Sequence, residues 1–254
     1  MRNRENQGED MSKETAGGNL KGFYIVFAVL AVIGIGAVGY NVGSKALNSA
    51  AMEPVDLEGV KDDMRLLRDM AVPVTLGDAD APATVIVFGD FYCNHCASFS
   101  LRERPRVVSE LVEKGIARLE FYDFVLNPMP EAGTFLAARA ARCAGDQGRY
   151  WDFHDRLYRS QLRWGMESDK LGAFLEMGED LGLDSGEFKG CVNSDRFAQE
   201  VSANREMAHA LGLDGTPAIM VGKSGGGMSR RLGDYSFEGI KQAIDEIVGG
   251  TISD

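Results

Sequence analysis

Two cysteines separated by two residues, Cys93 and Cys96 in the run Phe91-Tyr92-Cys93-Asn94-His95-Cys96, sit where an apolar strand meets a helix. The preceding run, Thr84-Val85-Ile86-Val87-Phe88, has the β-branched and aromatic composition of a buried strand. From Ala97 to about Glu113 the apolar residues recur at helical spacing. Cys93 therefore falls at a helix N-terminus, where unpaired N–H groups and the positive end of the helix dipole favour an anion. A thiolate is such an anion, and this placement lowers a cysteine pKa below its usual ~8.5. The competing use of a CxxC is a pair of zinc ligands, but zinc takes four in tetrahedral geometry. The chain has no second CxxC and no clustered histidine pair. A redox pair is the better reading than a metal site or an inert structural disulfide, and neither metal nor cofactor is expected.

The remaining pattern is that of an α/β protein. Pro73–Leu76 and Arg118–Val125 read as strands, and Glu131 to about Leu211 is almost wholly helical. Pro217–Val221 and a short run around Arg230–Leu232 read as strands, and Phe237–Val248 as a final helix. Pro105 is expected to kink the helix that follows the cysteines. The order predicts an α/β unit over 73–126 and 212–254, interrupted by a helical insertion over 127–211. The net charge of −11 lies downstream of residue 43, and an acidic body argues against nucleic-acid binding. GKSGGG (222–227) lacks the spacing of a phosphate loop and reads as a hairpin connection.

Phe23 to Gly43 is an uncharged stretch of 21 residues, and about 20 apolar residues span a bilayer as a helix. Lys13 and Lys21 before it favour a cytoplasmic N-terminal tail (1–22) and an exported body. The alternatives are a cleaved signal with Ser49-Ala50-Ala51 as its site, and a buried soluble helix. Signal h-regions run to about 7–15 residues, so an uncleaved anchor is preferred. Within the span, the GxGxxG match at Gly34–Gly39 lacks the strand–helix setting of a dinucleotide site. GxxxG at Gly39–Gly43 falls at its end and is a weak dimerisation signal. Residues 44–72 read as a stalk with a short amphipathic helix carrying Val55, Leu57, Val60, Met64, Leu66, Leu67 and Met70.

Three ordered segments carry a family resemblance. LGDADAPATVIVFGDFYCNHC (76–96), AARAARCAGDQGRYWDFHDRLY (137–158) and GTPA (215–218) resemble DsbA-like thioredoxin-fold proteins over residues 73–250. Membrane-anchored members of the BdbD type share the layout. The resemblance implies a thioredoxin fold with an inserted α-helical domain, here preceded by a single N-terminal transmembrane helix. It implies Cys93 as nucleophile and Cys96 as the resolving cysteine. It also implies that His95 stabilises the Cys93 thiolate, while Asn94 stands where DsbA has proline and leaves the potential open. Thr216-Pro217 matches the family's cis-proline loop, which pairs with substrate backbone; a cis bond is only ~5% of X–Pro bonds in general. Cys143 and Cys191 match paired cysteines of a subset of the family. A structural bridge there would stabilise by about 4 kcal/mol on the chain-entropy model; free buried thiols and a second redox relay are the alternatives. Val87 is a departure: many relatives carry a buried glutamate six residues before the first cysteine, so either another group, such as Asp90 or a water, assists, or the step proceeds without a side-chain acid.

His154 and His209 lie in helical patterns and read as packed or surface residues. Trp151, Phe153, Tyr158 and Trp164 read as core or groove lining. The expected function is an extracytoplasmic thiol:disulfide oxidoreductase that introduces disulfides into exported, unfolded or partly folded proteins. The resemblance implies reoxidation by a DsbB- or VKOR-like membrane protein. The alternatives are a reductase or isomerase of the same fold, and a substrate-binding chaperone or scaffold whose cysteines are merely structural. Residues 44–72 are short for the dimerisation domain that isomerases carry.

Overall fold

A computed structural model describes residues 24–36, 53–225 and 229–249. The chain divides into two compact units, Met1–Ala46 and Leu47–Asp254. In the first, residues 24–36 form helix α1 with exposed side chains. The expected span 23–43 is therefore helical over the thirteen residues that are described. At 1.5 Å per residue they rise about 20 Å, against the roughly 30 Å of a hydrocarbon core. Among the described residues no helix is long and apolar enough to cross a membrane. The rest of the span, the tail 1–22, residues 44–52 with the signal-cleavage alternative, and positions 226–228 of the glycine run lie outside the described residues.

The second unit is built on a sheet with the order β1-β3-β2-β4-β5. Its strands are β1 (Val74–Leu76), β2 (Ala83–Gly89), β3 (Ala117–Asp123), β4 (Ala218–Lys223) and β5 (Arg230–Arg231). β2 and β3 are parallel and the other pairings antiparallel. A parallel pair needs a crossover, and the helical stretch after the cysteines supplies it. That stretch begins as α3 (Asn94–Ser98), widens to π turns over Phe99–Glu103, and continues as α4 (Arg104–Val107) and a second π stretch, Val108–Val112. Pro105 lacks an N–H and crowds the preceding turn; the wider π turns on either side keep the stretch helical around it.

Alternation along β2 and β3 assigns each side chain to one of two cores. Val85, Val87, Leu119, Phe121, Ile219 and Val221 face the larger one, which Phe99, Val107, Leu111 and Ile240 complete. α5 (Thr134–Gly145), α6 (Tyr150–Arg159), α7 (Gln161–Met166), α8 (Lys170–Asp180) and α9 (Ser185–Val192), all within the expected insertion 127–211, extend this core. Asp169 and Asp184 cap α8 and α9 by accepting the N–H groups of Gly172 and Glu187. α11 (Phe237–Gly249) packs against β4 and α4.

The second core lies on the opposite sheet face, under α10 (Ala198–Ala210). Phe88, Phe124, Ala203, Met207 and Ala218 meet Leu57, Leu67 and Ala71 there. The stalk is thus packed onto the body over its described part. Its helix α2 (Met64–Met70) is shorter than the expected amphipathic stretch. Gly59, at φ +85°, turns the chain before it, and Asp63 caps it by accepting the N–H groups of Arg65 and Leu66.

Candidate active site

β2 delivers the CxxC to the C-terminal end of the parallel strand pair, and α3 starts immediately after Cys93. Cys93 is the N-cap: its extended backbone lets the side chain turn back over the first helical turn. Its sulfur accepts the Cys96 N–H at 3.4 Å, and its thiol donates to the Thr216 carbonyl at 3.3 Å. Cys93 is half-buried, Cys96 is buried, and neither is disulfide-bonded here. The Thr216–Pro217 bond is cis, as the resemblance implies, and it brings the β4 loop against Cys93.

The two thiols are pushed in opposite directions. Hydrogen bonding from Cys96 lowers the Cys93 pKa to about 5; burial opposes this, and Thr216 and the backbone N–H groups of Cys96 and His95 assist. Burial pushes Cys96 well up, and its hydrogen bond and proximity to Cys93 add to the rise. The Thr216 hydroxyl is buried without a hydrogen-bond partner in this dithiol form. It favours both thiolates, as a rotatable O–H able to swing onto a sulfur anion does. The arrangement is one exposed-edge nucleophile and one protonated thiol behind it.

Asn94 and His95 are exposed on the first turn of α3. Val87 is buried in register with Phe121 and Ile219, so an apolar contact fills the place of the buried acid. Asp90, at the end of β2, is the acid that is buried beside the cysteines. Its carboxylate accepts the N–H groups of Tyr92 at 2.6 Å and Leu126 at 2.7 Å. Burial raises its pKa to about 6 against those two bonds.

The insertion grips the active-site turn directly. Gln161 donates to the Phe91 carbonyl at 2.8 Å and Tyr158 to the Asp90 carbonyl at 3.2 Å. The Tyr92 ring lies against Trp164 and over Gly165, where an added Cβ would come within 2.3 Å of it. Sequence reasoning assigned Tyr158 and Trp164 to core or groove lining and did not single out Gln161, whose partner is a carbonyl 70 positions away. His154 is fully buried among Phe91, Phe121 and Tyr158, and burial lowers its pKa to about 4. Its Nδ1 donates to Asp155 at 2.9 Å. His209 packs edge-on against Phe124. Neither histidine is in the CxxC site.

Cys143 and Cys191 form a disulfide that joins α5 to α9, with Cα atoms 5.8 Å apart. Among the described residues no group of three or more histidine, cysteine, aspartate or glutamate side chains is placed to hold a metal ion.

Comparison with known proteins agrees with this geometry. The family model described as thioredoxin matches residues 70–246. The probable disulfide bond formation protein D of Bacillus anthracis is 26% identical over 227 residues, covering 87% of this chain and 93% of that protein. The crystal structure of α-DsbA1 from Wolbachia pipientis superposes with a TM-score of 0.63 at 20% identity, covering 72% of this chain and 96% of that one. Oxidised BdbD from Bacillus subtilis does so with a TM-score of 0.57 at 23% identity, covering 68% and 90%.

Proposed function

This chain belongs to the thioredoxin family, and from that premise we infer a DsbA-like protein thiol:disulfide oxidoreductase that introduces disulfides into exported proteins. The observation that carries the reading is the split between the two cysteines. Cys93 is a half-exposed sulfur whose anion is favoured, and Cys96 is a buried thiol whose anion is not.

In the oxidised form a substrate thiolate attacks the Cys93 sulfur. The Cys93–Cys96 bond breaks, Cys96 leaves and takes a proton, and a mixed disulfide joins Cys93 to the substrate. A second substrate thiolate then attacks the substrate sulfur of that bond. The substrate disulfide forms, and Cys93 leaves as a thiolate. Two electrons have passed from substrate to the CxxC. A leaving group of low pKa departs faster and stabilises the reduced enzyme, which is the condition for a strong oxidant. Thr216 and Pro217 supply the backbone against which substrate lies, and the His95 backbone N–H helps to favour the thiolate.

The same reading places the catalytic unit outside the cytoplasm, tethered by an anchor over residues 23–43. The uncharged length of that segment supports the anchor, and disulfide formation, which the name of the Bacillus relative states, is chemistry of oxidising compartments outside the cytoplasm. A DsbB- or VKOR-like membrane protein would return the dithiol to the disulfide.

A Cys96→Ala variant expressed in cells tests the reading. It cannot resolve the mixed disulfide, so partners should accumulate on Cys93 and be released by dithiothreitol. Absence of such adducts from a folded variant would sink the enzyme reading. Equilibration of the pair with glutathione fixes the direction: a potential near −120 mV marks an oxidase and one near −270 mV a reductase.

A further inference from the structure

Gln161 is 5% exposed, and a buried side-chain amide persists where hydrogen bonds offset its loss of water. Its NH2 bonds the backbone carbonyl of Phe91, two residues before the nucleophile. Three positions earlier, Tyr158 donates its phenol to the carbonyl of Asp90. Three positions later, the Trp164 ring meets the Tyr92 ring with centroids 5.4 Å apart. Trp164 is itself fixed by the bond from its Nε1 to the Leu157 carbonyl at 2.9 Å. Residues three apart are neighbours on one side of a helix. Helical bonding carries on between α6 and α7: Ser160 N–H reaches the Arg156 carbonyl and Trp164 N–H the Ser160 carbonyl, both at 3.0 Å. One ridge of the insertion therefore meets Asp90, Phe91 and Tyr92 in order, and the next residue is Cys93.

We propose that Tyr158 and Gln161 are positioning residues of the nucleophile. Their two bonds hold the turn 90–92 at the angle that keeps the Cys93 sulfur over the first turn of α3 and against the Thr216 carbonyl. This deepens the reading of Cys93 as the attacking thiolate and rests on it.

The turn closes on itself through the Cys93 N–H and the Asp90 carbonyl at 3.1 Å, but that bond fixes its shape and not its direction. Direction matters because the sulfur depends on groups such as the Cys96 N–H at 3.4 Å, and hydrogen bonds weaken steeply with angle. Loss of the Gln161 donor leaves the buried Phe91 carbonyl short of a bond, and rotation of the turn toward another donor becomes favourable. The titratable groups that face Cys93 are Cys96 from α3, Asp90 at the end of β2 and Tyr158 from α6. Burial holds the Tyr158 phenol protonated, and Gln161 carries no charge, so removing either donor changes geometry without changing charge.

Gln161→Met and Tyr158→Phe remove the donors and keep the length of one side chain and the ring of the other. Alkylation of Cys93 by iodoacetamide is followed against pH in the reduced full chain. The midpoint should rise by half a pH unit or more in Gln161→Met, about threefold in acid dissociation constant. The rise should be smaller in Tyr158→Phe, where the Asp90 carbonyl keeps the Cys93 N–H. The glutathione equilibrium at pH 7 should move toward the Cys93–Cys96 disulfide by the same factor as each midpoint, because the thiolate is what stabilises the reduced form. Leu157→Val loosens the buried side of α6 without removing a donor. It should lower the urea midpoint and leave the alkylation midpoint in place.

An unmoved or lowered alkylation midpoint in folded Gln161→Met overturns the proposal. So does a Leu157→Val variant that moves the midpoint as far, since the effect would then be general loosening. If Gln161→Met does not fold, Tyr158→Phe decides by the same criterion. A wild-type midpoint near 8.5 sinks the nucleophile reading; a wild-type midpoint near 5 that neither variant shifts sinks this proposal alone.

Discussion

The two cysteine pairs differ in which end of a helix they occupy. Cys93 caps the N-terminus of α3, where its sulfur receives backbone N–H groups. Cys143 and Cys191 lie in the last turns of α5 and α9, at the negative ends of their dipoles. Asp146 stands 3.8 Å from the Cys191 sulfur and adds negative charge there. One site favours a thiolate and the other disfavours it, so one pair is built to exchange and the other to stay bonded. Chain placement, rather than cysteine chemistry itself, separates catalyst from staple.

The largest expected effect falls on Cys93. Cys93→Ser should reduce catalysed disulfide exchange to the uncatalysed rate in an oxidative refolding assay. The paired substitution Cys143→Ala and Cys191→Ala should leave the alkylation rate of Cys93 within about twofold of wild type. A staple pair whose removal abolished exchange would erase the distinction. That double variant should instead lose stability. Closing a loop of 48 residues is worth about 4 kcal/mol on the chain-entropy model, read as a lower urea midpoint. An unchanged midpoint would remove the structural role.

A pH series separates the pairs next. Cys93 has a folded pKa lowered from its ordinary value near 9 to about 5, so it stabilises the reduced fold through its thiolate. That contribution is complete above about pH 9, shrinks as pH falls, and is gone below about pH 5. The stability of the reduced form relative to the Cys93–Cys96 disulfide form should therefore fall from pH 9 to pH 5. The alkylation rate should be level above pH 6 and drop about tenfold per unit below its midpoint near 5. A midpoint near 8.5 would mean that the helix end does not act on the sulfur. The Cys143–Cys191 bridge does not titrate and should contribute nothing to either curve.

Much of this contrast is legible in the sequence, for reasons that differ by residue. Cys93 at a helix start follows from a β-branched run meeting a helical period, since both patterns are local. The cis bond at Pro217 and the Cys143–Cys191 pairing came only with the resemblance, because four cysteines allow several pairings and most X–Pro bonds are trans. The grip of Gln161 on Phe91 and of Asp90 on Leu126 joins positions 70 and 36 apart, and a side chain that bonds a distant backbone carbonyl or N–H leaves no periodic trace. Asp90 did carry a partial signal, as an acid three positions before the nucleophile and three after an apolar Val87. The amphipathic reading of the stalk found its buried Leu57 and Leu67 but overestimated the helix, because Gly59 and the Asp63 cap divide it.

The smallest effect tests the staple from its own surroundings. Asp146 is paired through its other oxygen with Arg196 at 2.9 Å, so the charge it presents to Cys191 is partly neutralised. Reduction of the bridge requires an incoming thiolate to approach this carboxylate and a thiolate to leave beside it. For a partly exposed group at this distance the repulsion is on the order of 0.5 kcal/mol, or about twofold in rate. Asp146→Asn should therefore speed reduction of Cys143–Cys191 by dithiothreitol about twofold at low salt, and the gain should shrink at high salt as the charge is screened. The rate for Cys93–Cys96 should not move. An unchanged or slower bridge would assign its resistance to burial of Cys143, which is 1% exposed, and leave the helix-end contrast resting on the dipoles alone.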